Sequence, residues 1–262
     1  MNIERFYAKL DRFFNEGDAQ VVEKHLKYSL ADAKIDKDYG AILIISNEYG
    51  GYLRSVGKHE EALPVYADAI DALRKLGMFG TENHATTLIN QATNYAVWGK
   101  STEALECFEA ASLLLERLGI KTDFRVASLY NNMSIVCQDL GDFNAAIEHL
   151  NTALSILHEL EDTKIEIATT YTNIAQILYQ KEQYTDALCE IEQSLHMFED
   201  ADALDDTHYV AALETQGHIL QKLNQRQAAL SAFEKALDLT YGLYGIDHAG
   251  YQALLETIEN IK

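Results

Sequence analysis

The sequence predicts an all-α chain folded as a solenoid of about six helical hairpins closed by one further helix. Three observations lead there: a set of anchor residues recurs at near-constant spacing, three columns of small residues keep a fixed offset from those anchors, and proline is almost absent. The 262 residues hold a single proline, Pro64, while 48% are hydrophobic. Scarce proline favours long uninterrupted helices, and a chain of this length and composition has enough apolar side chains for a large core.

Gly57, Gly99, Gly141, Glu182 and Asn224 are the anchors, and they follow one another in steps of 42, 42, 41 and 42 residues. Five residues beyond each stands an alanine: Ala62, Ala104, Ala146, Ala187 and Ala229. Seven residues before each stand Gly50, Ala92, Ser134, Ala175 and Gly217, and twelve beyond stand Ala69, Ala111, Ala153, Ser194 and Ala236. Antiparallel helices joined by a tight turn approach closely only where their side chains are small, with larger apolar groups filling the flanks. Those flanks are Tyr66, Phe108, Leu150, Ile191 and Phe233 on one side, and Leu53, Tyr95, Cys137, Leu178 and Leu220 on the other.

A glycine anchor suits a chain leaving a helix with positive φ, and asparagine tolerates that conformation, so Glu182 implies either a different turn or some strain. An earlier unit starts at the N-terminus, with Gly17 in the anchor column and Phe13, Val22, Leu26 and Ser29 in the matching ones. The hairpins therefore span about residues 1–40, 41–84, 85–126, 127–167, 168–209 and 210–250 of one repeat domain covering 1–262, and residues 251–262 form the helix that caps the exposed core face.

The order of small residue, aromatic, glycine, aromatic and alanine resembles the tetratricopeptide repeat. It is clearest in MSIVCQDLGDFNAAIEHLNTAL (133–154) and GHILQKLNQRQAALSAFEKALDL (217–239). The period exceeds the usual ~34 residues by about two helical turns, one for each helix of the hairpin. This longer variety is similar to the repeats of kinesin light chains and of many bacterial proteins, on the strength of residues 85–105, 127–147 and the YGIDHA of 244–249. HEAT and armadillo repeats share the ~40–47 period but do not predict three small-residue columns. The resemblance implies a right-handed superhelix in which the first helix of each hairpin lines a concave groove.

It also implies which residues line that groove: Asn47 and Arg54, then Asn90, then Asn131 and Gln138, then Thr172, Asn173, Gln176 and Tyr179, and finally Glu214, His218 and Gln221. Amides present a donor and an acceptor, so they can pair with the backbone of an extended peptide whatever its sequence, and Tyr179 can serve as a rigid anchor. An equally physical reading has Asn90, Asn132 and Asn173 bridging neighbouring first helices and binding nothing. The Lys and Asn pair with which related repeats capture a C-terminal carboxylate is absent from the matching positions Tyr7 and Asp11, Asn47 and Gly51, Ile89 and Thr93, and Asn131 and Ile135.

Forty-one acidic against 21 basic residues give a formal charge of −20, a field that repels phosphate backbones and anionic lipid and suits a neutral to basic partner. Cys107, Cys137 and Cys189 lack metal or disulfide spacing and sit in apolar patterns, which points to buried thiols in a reducing compartment. The N-terminus carries charges every few residues, unlike a signal peptide, and no 18-residue apolar run follows, so a cytoplasmic protein is expected.

His84, His208 and His248 recur just before first helices, which reads as a junction role, while His149 and His158 read as solvated surface. No nucleophile elbow, Walker loop, dinucleotide fingerprint or zinc motif occurs, so neither a catalytic residue nor a cofactor or metal is expected. An adaptor that presents a concave groove to a peptide or protein segment is therefore the expected function. The alternative is a ligand-sensing regulator of a bacterial signalling system acting through a partner. Self-association is a third reading, motivated by the tyrosines of the loop-like stretch at 242–251.

Overall fold

A computed structural model describes residues 1–261. Thirteen α-helices and no strand occur among them, and none of these helices is long and apolar enough to cross a membrane. The chain divides into two compact units, the first running from Met1 to Lys121 and the second beginning at Thr122.

The first unit contains α1 (Ile3–Glu16), α2 (Ala19–Ile35), α3 (Tyr39–Ser55), α4 (His59–Lys75), α5 (Glu82–Val97) and α6 (Ser101–Arg117). Consecutive pairs α1/α2, α3/α4 and α5/α6 pack as hairpins, and α2 against α3 and α4 against α5 join one hairpin to the next. The second unit contains α7 (Phe124–Asp139), α8 (Phe143–Leu157), α9 (Lys164–Gln180), α10 (Tyr184–Asp200), α11 (Thr207–Lys222), α12 (Arg226–Tyr244) and α13 (Ala249–Ile261). Here α7/α8, α9/α10 and α11/α12 are the hairpins, and α13 packs on α12. Each unit is thus a stack of helical hairpins, the arrangement of an all-α repeat solenoid.

The small columns lie where helices meet. All five alanines after the anchors, and all five residues of the column seven further on, are completely buried. The large flanking residues Tyr66, Phe108, Leu150, Ile191 and Phe233 are equally inaccessible. Burying one such side chain contributes roughly 1.5–3 kcal/mol, so the columns account for much of what holds each hairpin together.

Five of the six hairpin turns, all but the one at Gly17, close in one way. In the first unit the Lys58 amide donates to the Leu53 carbonyl at 2.8 Å and Lys100 to Tyr95 at 2.9 Å; in the second, Asp142 to Cys137, Gln183 to Leu178 and Gln225 to Leu220 do the same at 2.9 Å. This six-to-one bond satisfies a carbonyl that the helix end would otherwise leave orphaned, and it requires a left-handed residue at the anchor. Glu182 takes the same turn as the glycines, with φ of 60°, so of the two readings the strained residue is the one observed.

The C-terminus differs from the expected loop. α12 continues to Tyr244 and α13 begins at Ala249, leaving only Gly245 to His248 between them. Tyr244 stacks on His248 at 4.4 Å and Tyr241 lies 6.0 Å from Tyr251, which holds the connection closed. Leu254, Ile258 and Ile261 of α13 then join the core of the second unit, as a capping helix must.

Candidate functional site: the faces of the first helices

The first helices carry threonine and asparagine on the face turned away from their own hairpin partners, and the structure joins these into ladders. In the first unit the Asn47 amide donates to the Leu43 carbonyl at 3.0 Å and to Thr87 Oγ1 at 3.2 Å. Its own carbonyl oxygen accepts from Asn90 Nδ2 at 2.9 Å. The second unit repeats the arrangement one for one. Asn131 Nδ2 donates to Ala127 O and Thr170 Oγ1, both at 3.3 Å, and Asn131 Oδ1 accepts from Asn173 Nδ2 at 3.4 Å. A further rung joins Gln176 Nε2 to Thr215 Oγ1 at 3.2 Å.

The asparagines therefore act first as struts between neighbouring first helices. Asn47 and Asn131 have both amide protons and the carbonyl oxygen occupied. Asn90 and Asn173 close the ladders and use one proton each, so their carbonyl oxygens remain open on half-buried surfaces.

Three concavities lie on these faces. The one in the first unit, about 370 Å³, brings Asn47, Arg54 and Asn90 together with Glu48, Gly51 and Tyr52, floored by Leu10, Phe14 and Leu26. Glu48 there accepts the Tyr7 hydroxyl at 3.0 Å, and burial together with that bond pushes the tyrosine up to about 12. In the second unit, about 280 Å³ between α7 and α9 is lined by Asn131, Asn132 and Asn173 with Thr169, Thr170 and Glu166. A further 360 Å³ between α9 and α11 is lined by Gln176, Tyr179, Gln180, Ala211, Glu214, Thr215 and His218.

Nine of the twelve expected groove residues thus converge on these concavities. Gln138, half-buried, and Gln221, exposed, lie on the first helices outside all three. Thr172 departs from expectation: it is buried, and its hydroxyl bonds Ser194 of α10 at 2.7 Å and the Ala168 carbonyl at 3.2 Å. Ser194 stands in a column otherwise made of alanine, and its hydroxyl draws Thr172 into the hairpin interior and out of reach of a partner. The threonines that build the ladders, Thr87, Thr170 and Thr215, were not among the expected residues. Their sequence signal is a threonine on each of three first helices, with a neighbouring first helix supplying an amide about 40 residues away.

Electrostatics single out the α9/α11 concavity. Burial pushes the Glu214 carboxyl above the ordinary carboxylate range and the His218 imidazole below its ordinary value. His218 is exposed on its outer side but packs edge-on against Phe233 at 5.0 Å. Glu214 makes no ion pair or hydrogen bond among the described residues. Tyr179 is held by an edge contact with Tyr184 at 5.5 Å.

The other polar features are local. A cavity of about 460 Å³ between α10, α11 and α12 contains Lys235, whose ammonium already pairs with the Tyr209 hydroxyl and lies 3.9 Å from Glu199. His84, His208 and His248 sit at helix starts: His84 accepts from the Gly80 amide at 3.3 Å, His208 bonds Asp206 at 2.7 Å and His248 accepts from Gly250 at 3.2 Å. His149 is not simply solvated, since its ring packs 5.8 Å from that of Tyr130. Of the thiols, Cys137 is buried, Cys107 half-buried and Cys189 exposed, so the last departs from the expected burial. No group of three or more His, Cys, Asp or Glu side chains is gathered as a metal site among the described residues.

Comparison with known proteins agrees with this architecture. Family models described as tetratricopeptide repeat match residues 125–200 and 210–241. A kinesin light chain-related protein of Arabidopsis thaliana is 22% identical over 94% of this chain, and the chain spans about 40% of that relative's length. The crystal structure of BtubC (BKLC) from P. vanneervenii superposes with a TM-score of 0.75 at 16% identity, covering 87% of this chain and 92% of that one. The structure of NprR in complex with its cognate peptide NprX superposes with a TM-score of 0.57 at 18% identity, covering 98% and 78% respectively. Residues 125–200 and 210–241 thus match the tetratricopeptide repeat, and the chain as a whole is similar to a kinesin light chain-related protein.

Proposed function

We propose that this chain is an interaction scaffold, without catalytic activity of its own, that holds an extended peptide or protein segment on the faces of its first helices. The observation that carries the reading is the pair of ladder ends. Asn90 and Asn173 are each fixed by a neighbouring asparagine and still offer a carbonyl oxygen and an amide proton beside a concavity. A fixed amide with donor and acceptor free suits the main chain of a bound segment and costs little ordering on binding. That NprR forms a complex with a peptide on the same kind of fold supports the reading. The charge of −20 favours a neutral to basic segment.

The test is selection of a displayed library of random short peptides on the wild-type protein. Binding of the selected peptides is then measured on Asn173→Ala/Tyr179→Ala, with Asn131 left in place to keep the ladder and helicity and melting checked by circular dichroism. Loss of about tenfold or more in affinity with an unchanged fold is expected. Peptides held equally well by both proteins would place binding elsewhere.

A further inference from the structure

We infer that the concavity between α9 and α11 receives a cationic side chain, arginine or lysine, with Glu214 as its counter-ion and the ring of Tyr179 as its packing surface. The inference rests on the reading of this face as a peptide-binding surface and specifies what one subsite of it selects.

Glu214 is half-buried in a concavity of about 360 Å³ and has no ion pair or hydrogen bond among the described residues. Several carboxylates elsewhere are met within the fold: Glu48 takes the Tyr7 hydroxyl, Asp123 is paired with Arg125 at 2.8 Å, and Glu23 accepts from Lys58 at 2.7 Å. Taking a carboxylate out of water without a partner is costly, and burial already pushes this one above its ordinary range. An incoming cation restores the lost interaction in a partly desolvated setting, where a charge pair is stronger than at the open surface.

The surrounding groups suit a long cationic side chain. Tyr179 offers a ring pinned by Tyr184, and a cation placed against an aromatic face gains roughly 0.5–2 kcal/mol. Gln176 is oriented by its bond to Thr215, which leaves its Oε1 as an acceptor for a guanidinium or ammonium proton. Ala211 leaves room on the α11 side for an aliphatic stem.

The experiment uses peptides selected on the wild-type protein and reads them again on Glu214→Gln, a variant of nearly unchanged shape, and on Glu214→Lys. The expected result is a fixed position at which the selected peptides carry arginine or lysine. Replacing that residue with alanine weakens binding about tenfold on wild type and less than about twofold on Glu214→Gln, and selection on Glu214→Lys loses the basic preference. Peptides that require Asn173 and Tyr179 but show no basic position, or whose basic residue matters equally on Glu214→Gln, overturn the subsite and leave the groove reading intact. Selection that yields no peptide sensitive to Asn173 and Tyr179 overturns both.

Discussion

The ring of Tyr66 occupies the space where a Cβ on Gly50 would stand, with ring carbons 2.5 Å from that position. Gly217 and Phe233 repeat the relationship at 2.6 Å in the second unit. The same two columns read Ala92 with Phe108, Ser134 with Leu150 and Ala175 with Ile191, so the two glycines each face a ring and the other small residues carry a Cβ beside their partners. Gly50→Ala should therefore destabilise the fold by about 1–3 kcal/mol through overpacking, although alanine is the better helix former. Pairing it with Tyr66→Leu, the combination nearest Ser134 and Leu150, should recover part of the loss. Urea denaturation of the two singles and the double measures the coupling, and strict additivity of the two costs would refute the packing account.

The Tyr66 hydroxyl is buried with no hydrogen-bond partner, and burial pushes it up to about 12. Phe233 shows that the column accepts a ring without a hydroxyl. Tyr66→Phe removes an unsatisfied polar atom and keeps the ring, so it should leave stability unchanged or raise it by up to about 1 kcal/mol. A clear loss on thermal or chemical unfolding would mean that the hydroxyl has a partner in solution.

How much of this was readable beforehand follows from the kind of information involved. The hairpins and their interior were legible because close helix approach imposes small residues at fixed offsets, and Ala62, Ala146 and Ala229 satisfy that rule whatever surrounds them. The ladders were legible only in part. Asn90 and Asn173 stand out, whereas the role of Thr87 and Thr170 depends on amides about 40 residues away on a neighbouring helix. Thr172 pointed the wrong way because its direction depends on Ser194, a residue of the next helix. That Glu214 lacks a partner is a three-dimensional fact with no local signature.

Glu182 occupies an anchor with φ of 60°, where Gly57, Gly99 and Gly141 have 75°, 76° and 78°. A side chain in the left-handed region costs roughly 1–2 kcal/mol, of which the greater unfolded-state freedom of glycine cancels about half. Glu182→Gly should therefore stabilise the second unit by about 0.5–1 kcal/mol. The gain should appear as a higher urea midpoint at unchanged slope; a lower midpoint would show that the glutamate side chain contributes something the turn geometry does not account for.

Asn131 and Asn173 differ in role although they bond each other. Asn131 satisfies groups on its own helix and on α9, so Asn131→Ala should cost about 1–2 kcal/mol of stability. Asn173 makes one bond of 3.4 Å at the ladder's end, so its replacement by alanine should cost less than about 1 kcal/mol while weakening peptide binding more. Measuring both unfolding and peptide affinity for each variant separates strut from contact, and the reverse order of effects would reverse the assignment.

His84 links the first unit's stability to pH. Its ring is buried in the first turn of α5, tilted against Phe79 with centroids 4.0 Å apart, and its Nδ1 accepts from the Gly80 amide, which requires that nitrogen to be unprotonated. Burial first, and the Arg74 guanidinium second, hold the imidazole below its ordinary value of 6.5. The folded state therefore binds the proton less readily than the unfolded chain. The corresponding stability is fully present above about pH 6.5 and is lost as pH falls through the lowered folded value. Between about pH 7.5 and about pH 5 the wild type should lose more stability than His84→Gln, which keeps an acceptor near Gly80 but cannot charge. Other groups titrate equally in both proteins, so the difference between the two urea-midpoint profiles isolates His84. Parallel profiles would mean that the proton enters this junction without disturbing it.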